Sequence, residues 1–283
     1  MSKLKAYIKQ MRIKGWLKNV FVFAPIVFSL ELFEWRKTLS VVLLALAFCL
    51  VSSAIYVLND ICDAPKDRLH EVKKHRPIAS GLITIPSAWI MFSILIVTGL
   101  VLFAYVNLKS LIFAVIYIII NVLYSIWLKH KVIIDCFCIA AGFVIRVLVG
   151  GTVVSQGVSE WMFLTIISLS LFMAFGKRKG ELANYGNGAT REALGGYDMA
   201  FLNGSVFLCA AITLVFYSLW SISQNTRLIY TVPIVLFIMS RYLLQVFKGR
   251  SDADPTMLIL SDKVLLVACG VYGVVMIVLL YFF

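Results

Sequence analysis

The feature that leaves this chain the fewest choices is an apolar run of membrane length that recurs from end to end. Residues 38–58 read TLSVVLLALAFCLVSSAIYVL, with no Lys, Arg, Asp or Glu. Similar runs fall near 19–34, 83–106, 109–128, 132–154, 160–176, 200–221, 227–247 and 263–283, nine in all. A helix of about 20 residues crosses a hydrocarbon core of about 30 Å. Runs of this length exclude the short alternating strands of a β-barrel. With 61% hydrophobic and only 14% charged residues, the chain is too apolar for a water-soluble domain. The expected fold is an all-α integral membrane protein of about nine transmembrane helices, residues 1–283 forming one transmembrane domain. Pro25 and the lack of a small-x-small cleavage site predict that the first run is retained. Six scattered cysteines without metal spacing read as small buried hydrophobes.

Charge sets the expected orientation, because Lys and Arg collect in cytoplasmic loops. With the N-terminus inside, 20 of the 26 Lys and Arg fall in the leader and in the even connections. The long connections, 59–81 and 177–199, lie on that cytoplasmic side, so function is expected there. The formal net charge of +12 reflects this asymmetry and an attraction to anionic lipid. It does not require a nucleic-acid partner. The expected location is a bacterial inner membrane, crossed many times, among membrane lipids.

One connection carries chemistry. NDICDAPKDRLHEVKKHRPIASG, residues 59–81, holds four acids, five Lys or Arg and two His. If the second run stays helical past Leu58, Asn59, Asp63 and Asp67 are spaced i, i+4, i+8, and Asp60 joins that face. Pro65 is expected to bend or end the helix there. Clustered carboxylates call for a divalent cation, and Mg²⁺ is held by one or two carboxylates plus substrate phosphates. Lys73, Lys74, His75 and Arg76 offer point charges and a bidentate fork to phosphate. Acid, metal and base together describe a diphosphate site. Lys18 and Asn19, at the start of the first run, add a second expected phosphate contact. His70 and His75 read as solvated loop residues.

The motif NDxxDxxxD at the end of a second transmembrane helix resembles the first signature of the UbiA superfamily of intramembrane prenyltransferases. Four stretches bring the chain nearest to the branch of polyprenyl-phosphate phosphoribosyltransferases. They are RIKGWLKNVFVFAPIVFS at 12–29, YVLNDICDAPKDRLHEVKKHRPIASG at 56–81, FGKRKGEL at 175–182 with REALGGY at 191–197, and PIVLFIMSRYL at 233–243. The resemblance implies a nine-helix bundle with a cavity open to the cytoplasm and to lipid. It implies 5-phosphoribosyl diphosphate as donor, a polyprenyl phosphate as acceptor, and Mg²⁺. Asp60 and Asp63 would ligate the metal, with Asn59 and Asp67 completing its shell.

Ordinary members of the superfamily carry a second acidic motif after the sixth helix. Here that place reads GKRKGEL, and Lys177, Arg178 and Lys179 with the single Glu181 suit a further phosphate better than a second metal. Aromatic prenyl transfer in quinone synthesis is the alternative activity. Asp135 and Arg146 are the charged pair inside the fifth run, where ionisable groups mark function. Asp135 is expected to order the site and Arg146 to have a buried structural partner. Tyr124 and Lys129 close the fourth run near the same face. Tyr185 and Tyr197 are candidate stacking groups or interface anchors. An oligomer is compatible with the sequence and not specified by it.

Overall fold

The computed structural model describes residues 3–69, 73–185, 192–249 and 255–282. The predicted His70 lies outside them. The regular elements are helical: α1 (Lys3–Gln10), a 3-10 segment (Ile13–Phe23), α2 (Ala24–Phe28), α3 (Trp35–Asp67), α4 (Ile85–Val106), α5 (Leu108–Ile126), α6 (Ile134–Gly151), α7 (Glu160–Tyr185), α8 (Met199–Gln224), α9 (Val232–Phe247), α10 (Pro255–Ser261) and α11 (Lys263–Tyr281). Among the described residues eight helices are long and apolar enough to cross a membrane.

The expected ninth span, 19–34, is not a long α-helix. It is the end of the 3-10 segment followed by the single short turn of α2. Pro25 lacks the N–H that would continue an α-helical ladder and sits instead in the first turn of α2. Leu30, at φ 64, then turns the chain away. Packing explains the tighter winding. Side chains three apart eclipse in a 3-10 helix, so Trp16, Asn19 and Val22 form one stripe. The Trp16 indole donates to Ser53 Oγ at 3.0 Å and the Asn19 amide to Cys49 Sγ at 3.2 Å, both on α3.

The chain divides into two compact units, Met1–Ser125 with Ile145–Gly157, and Ile126–Val144 with Val158–Phe283. In the first, Val41, Leu44, Phe48, Val51 and Ile55 alternate steps of three and four along α3 and are all buried, the seam spacing of packed helices. Phe48 meets Phe103 and Tyr117 edge to face at 5.1 and 5.4 Å. Arg146 lies in this core, as expected of a structural residue. Its Nε donates to Asn19 Oδ1 at 2.8 Å, its Nη2 donates to Tyr117 OH at 3.1 Å, and its guanidinium covers the Tyr117 ring at 5.0 Å. These contacts offset the cost of a charge that is only 5% exposed.

Gly150 has no room for a side chain: a Cβ there would press into the Val22 carbonyl and Pro25. In an open helix Gly→Ala gains up to about 1 kcal/mol. Gly150→Ala is expected instead to lose about 1–3 kcal/mol through overpacking. A melting temperature at or above that of the parent would show that the 3-10 segment yields.

Helix length places the polar residues. The 33 residues of α3 make a rod of about 50 Å, against a hydrocarbon core of about 30 Å. Its last turns, from Asn59 on, therefore run past the apolar stretch. Pro65 does not end the helix early, because it sits in the final turn, where few backbone bonds remain to be lost. Likewise α7 continues to Tyr185 beyond the predicted end at 176, and the expected loop 177–199 begins as helix. In the second unit the main packing is α7 on α8, with α9 and α11 against each other.

Candidate active site

Each unit carries a cluster in which buried carboxylates meet arginine. In the first unit, Asp60 and Asp67 are two turns apart on α3, 3% and 4% exposed, and both accept from the same atom. Arg76 Nη1 lies 3.1 Å from Asp60 Oδ1 and 2.7 Å from Asp67 Oδ2. Arg76 reaches them because the following chain is pinned: Ile78 and Ile83 pack against Ala6, Ala54, Val57 and Ala64. Asp60 has two more partners. Arg12 Nη2 donates to Oδ1 at 2.6 Å, and Gln10 Nε2 donates to Oδ2 at 2.7 Å. Two guanidinium groups thus face two carboxylates and the cluster is close to neutral.

Arg12 is held in a strained conformation by its bond to Asp60 and by stacking. Its backbone is left-handed, φ 51 and ψ 52, which is costly for a residue with a Cβ and concentrates at functional positions. Its guanidinium lies 4.9 Å over the Tyr56 ring.

Asn59 Oδ1 accepts from Ser125 Oγ. Asp63 is half-buried and does not complete a triad, since no three His, Cys, Asp or Glu side chains among the described residues stand close enough to hold a metal ion. Of the three predicted carboxylates, Asp60 and Asp67 are the pair that share Arg76. Side chains at i and i+7 superpose on a helix, whereas i+3 is offset by about 60°. Lys18, Lys73 and Tyr124 are half-buried, and Lys74 and His75 are exposed. Asn19, proposed for substrate, has its amide engaged by Cys49 and Arg146.

The residues fit a hard divalent cation. Two carboxylate oxygens already converge on one cationic nitrogen, a donor set suited to Mg²⁺ with substrate phosphates completing the shell. Gln10 Oε1, buried beside Asp60, has no hydrogen-bond partner and is a further free oxygen.

In the second unit the predicted basic cluster comes apart. Consecutive helical residues point about 100° apart, so Lys177, Arg178 and Lys179 go to different places. Arg178 is wholly buried. It donates through Nε to Asp135 and through Nη1 to Glu181 Oε2, the latter at 2.5 Å. Lys177 Nζ approaches Glu181 at 4.0 Å, and the Lys179 ammonium lies over the Phe247 ring. Arg178 is therefore a buried ion-pair partner and not an open phosphate ligand; only Lys177 keeps a part-exposed charge.

Tyr197, expected at the interface, is buried. Its hydroxyl donates to Asp135 Oδ1 at 2.7 Å and accepts from the Ile133 N–H at 2.7 Å. Burial, and then the bond to Asp135, push its phenol well above the usual range. It stays neutral and can donate. Ile133 is another non-glycine in the left-handed region, φ 68, and the Tyr197 hydroxyl clamps that turn at the start of α6. Lys129 is half-buried in the short turn before it. The side chain of Tyr185 is outside the described set.

The longest of the membrane-length helices, α3, thus ends in a buried cluster of acids and arginines. Residues 20–261 match the UbiA prenyltransferase family, and the chain belongs to that family. It is 34% identical over 272 residues to decaprenyl-phosphate phosphoribosyltransferase of Corynebacterium glutamicum, covering 91% of this chain and 81% of that one. Against the protein of the same name from Mycolicibacterium smegmatis it is 30% identical over 278 residues, covering 91% and 87%. Its fold matches a UbiA homolog from Archaeoglobus fulgidus bound to GPP and Mg²⁺, with TM-score 0.74 at 17% identity over 96% of this chain and 99% of that one.

Gln10, Arg12 and Tyr56 escaped the sequence reading. Arg12 opens the first stretch that carries the resemblance, yet as one of six leader cations it looked like topology alone.

Proposed function

We propose that this protein transfers 5-phosphoribose from 5-phosphoribosyl 1-diphosphate to a polyprenyl phosphate, with Mg²⁺, at the cytoplasmic face of a bacterial inner membrane. The observation that carries the reading is how the carboxylates are spent. Asp60 and Asp67 converge on one cation position, whereas Asp135 and Glu181 are consumed by Arg178. That supports one metal-diphosphate position and argues against the second acidic metal motif of aromatic prenyl transfer. The names of the Corynebacterium and Mycolicibacterium relatives point the same way.

Asp60 and Asp67, with Gln10, would hold the metal, with Asp63 and Asn59 on the neighbouring turns of α3 completing the polar lining. A hard cation bound there would supply positive charge to the diphosphate leaving group. Arg76 and Arg12, released from the carboxylates, turn to the diphosphate oxygens, and Lys73 and Lys18 add point charges. The C1–O bond to diphosphate breaks and a C1–O bond to the acceptor phosphate forms. The acceptor oxygen is already anionic, so alignment suffices and no general base is required. On the second unit, taken by itself, Lys177 and Lys129 are the candidates for binding a phosphate.

The test is a donor competition in detergent with Mg²⁺. Labelled phosphoribosyl diphosphate should pass into polyprenyl phosphate and stop with EDTA. Prenylation of 4-hydroxybenzoate from a prenyl diphosphate, with no ribose transfer, would overturn the reading.

Arg12 tests the exchange of partners. A charge-assisted hydrogen bond contributes about 1.5–3 kcal/mol, so Arg12→Gln should raise the donor KM by about tenfold or more. The same variant should bind Mn²⁺ more tightly without donor, because a competing cation has left Asp60. Weaker Mn²⁺ binding would contradict the exchange.

A further inference from the structure

We propose a phospholipid site on the second unit, at the junction of α9, α10 and α11, for a lipid with one net negative charge and hydroxyl donors in its headgroup. It is independent of the catalytic reading.

A cavity of about 250 Å³ there is lined by Arg241, Gln245, Ser261, Asp262 and Lys263. Asp262 is fully committed. Its Oδ1 accepts from the N–H groups of Val264 and Leu265 at the start of α11, and its Oδ2 accepts from Arg241 Nε at 3.1 Å and Gln245 Nε2 at 2.5 Å. Burial opposes ionisation, but the Leu265 N–H and the Arg241 guanidinium outweigh it and hold this carboxyl below its ordinary range. It therefore stays charged. Lys263 is exposed and has no acid partner among the described residues. Arg241 and Lys263 against Asp262 leave one positive charge.

Gln245 adds a second, independent demand. It is only 3% exposed, its nitrogen is fixed by Asp262, and its Oε1 is buried with no hydrogen-bond partner. Such an acceptor is costly to leave unpaired, so the ligand must bring a donor as well as a negative charge.

The tail has a place. An apolar groove of about 680 Å³ shares Lys263 and Val264 with the polar cavity and continues over Phe237 of α9 and Val267, Ala268 and Val271 of α11. From Lys263 to Val271 the helix rise gives it about 12 Å. A polar head cavity opening into an apolar groove matches an amphiphile. A phosphate monoester such as polyprenyl phosphate carries close to two charges at neutral pH and offers mainly acceptors. A phosphatidylglycerol-type head matches the single charge and supplies the donor for Gln245.

The experiment uses the full-length, delipidated protein in detergent, titrated separately with phosphatidylglycerol, phosphatidylcholine and polyprenyl phosphate. Bound lipid is read by native mass spectrometry and stability by melting temperature. Expected is one retained phosphatidylglycerol per chain with a saturable rise in melting temperature, and little from phosphatidylcholine. Lys263→Gln and Gln245→Leu should each weaken binding at least about fivefold, the low end of a specific coupling. Val271→Trp should fill the groove and abolish retention. Lys263 and Val271 are exposed, so these two variants should fold. Equal retention of both phospholipids, or retention indifferent to all three variants, would mean ordinary annular lipid and overturn the site. Preferential protection by polyprenyl phosphate would overturn the ligand. A change in oligomeric mass in Val271→Trp would assign the groove to a second copy of the chain and likewise overturn the proposal.

Discussion

Asp60→Asn is expected to lower turnover by about 10²–10³-fold, the scale of losing a preorganised group that stabilises transition-state charge, while the protein still folds. Asp60 is the centre of the first cluster: Gln10, Arg12 and Arg76 all donate to it. The amide keeps the shape and one acceptor, so Arg12 and Arg76 lose part of their attraction and not their position. What disappears is the negative charge that would draw a metal ion against two guanidiniums. Mn²⁺ binding in the presence of donor should fall together with turnover, and extra Mg²⁺ should restore part of the rate. Near-normal turnover at saturating Mg²⁺ would remove Asp60 from the site. Asp67→Asn should cost less, because among the described residues Asp67 accepts from Arg76 alone.

Arg178→Met is expected to destabilise the protein by about 3–5 kcal/mol, because breaking a buried ion pair from one side leaves uncompensated charge. Asp135 is wholly buried and Glu181 is 7% exposed, and both would be stranded. For a chain of this size that loss corresponds to a melting temperature lower by roughly 10 °C. Combining Arg178→Met with Asp135→Asn and Glu181→Gln should recover much of it, since a neutral set of similar volume avoids desolvating charge. The opposite pattern, an unchanged melting temperature with a raised substrate KM, would return Arg178 to the role of phosphate ligand that the sequence suggested. The two outcomes differ because a buried guanidinium acts through the fold, whereas an open one acts only on what it binds.

These expectations rest on contacts that sequence could suggest but not assign. The motif NDxxDxxxD carries its helical phase with it, so the partnership of Asp60 with Asp67 across two turns was readable. That one arginine would bridge those two was not, because a face about 100° wide still spans residues with different neighbours. Arg76 stood out as a fork beside a proline, but its present acceptors are carboxylates. That follows from where Ile78 and Ile83 anchor the chain. GKRKGEL read as a patch because adjacent letters look adjacent; once α7 continues to Tyr185, the helical turn scatters them.

By itself the sequence determined the class of molecule: apolar runs near 20 residues must become membrane helices, since lipid offers the backbone no other hydrogen-bond partners. It also determined the family, through motifs that place acids, amides and bases at set spacings on set helices. Tertiary structure alone decided which charges face one another and the winding of the first predicted span into a 3-10 stripe against α3. It also brought Gln10 and Arg12 from the leader to Asp60, 50 and 48 residues away. The reason is physical. Periodicity and hydropathy are local properties of a chain, whereas an ion pair depends on packing between segments distant in sequence, and burial then decides whether a charge binds a ligand or holds the protein together.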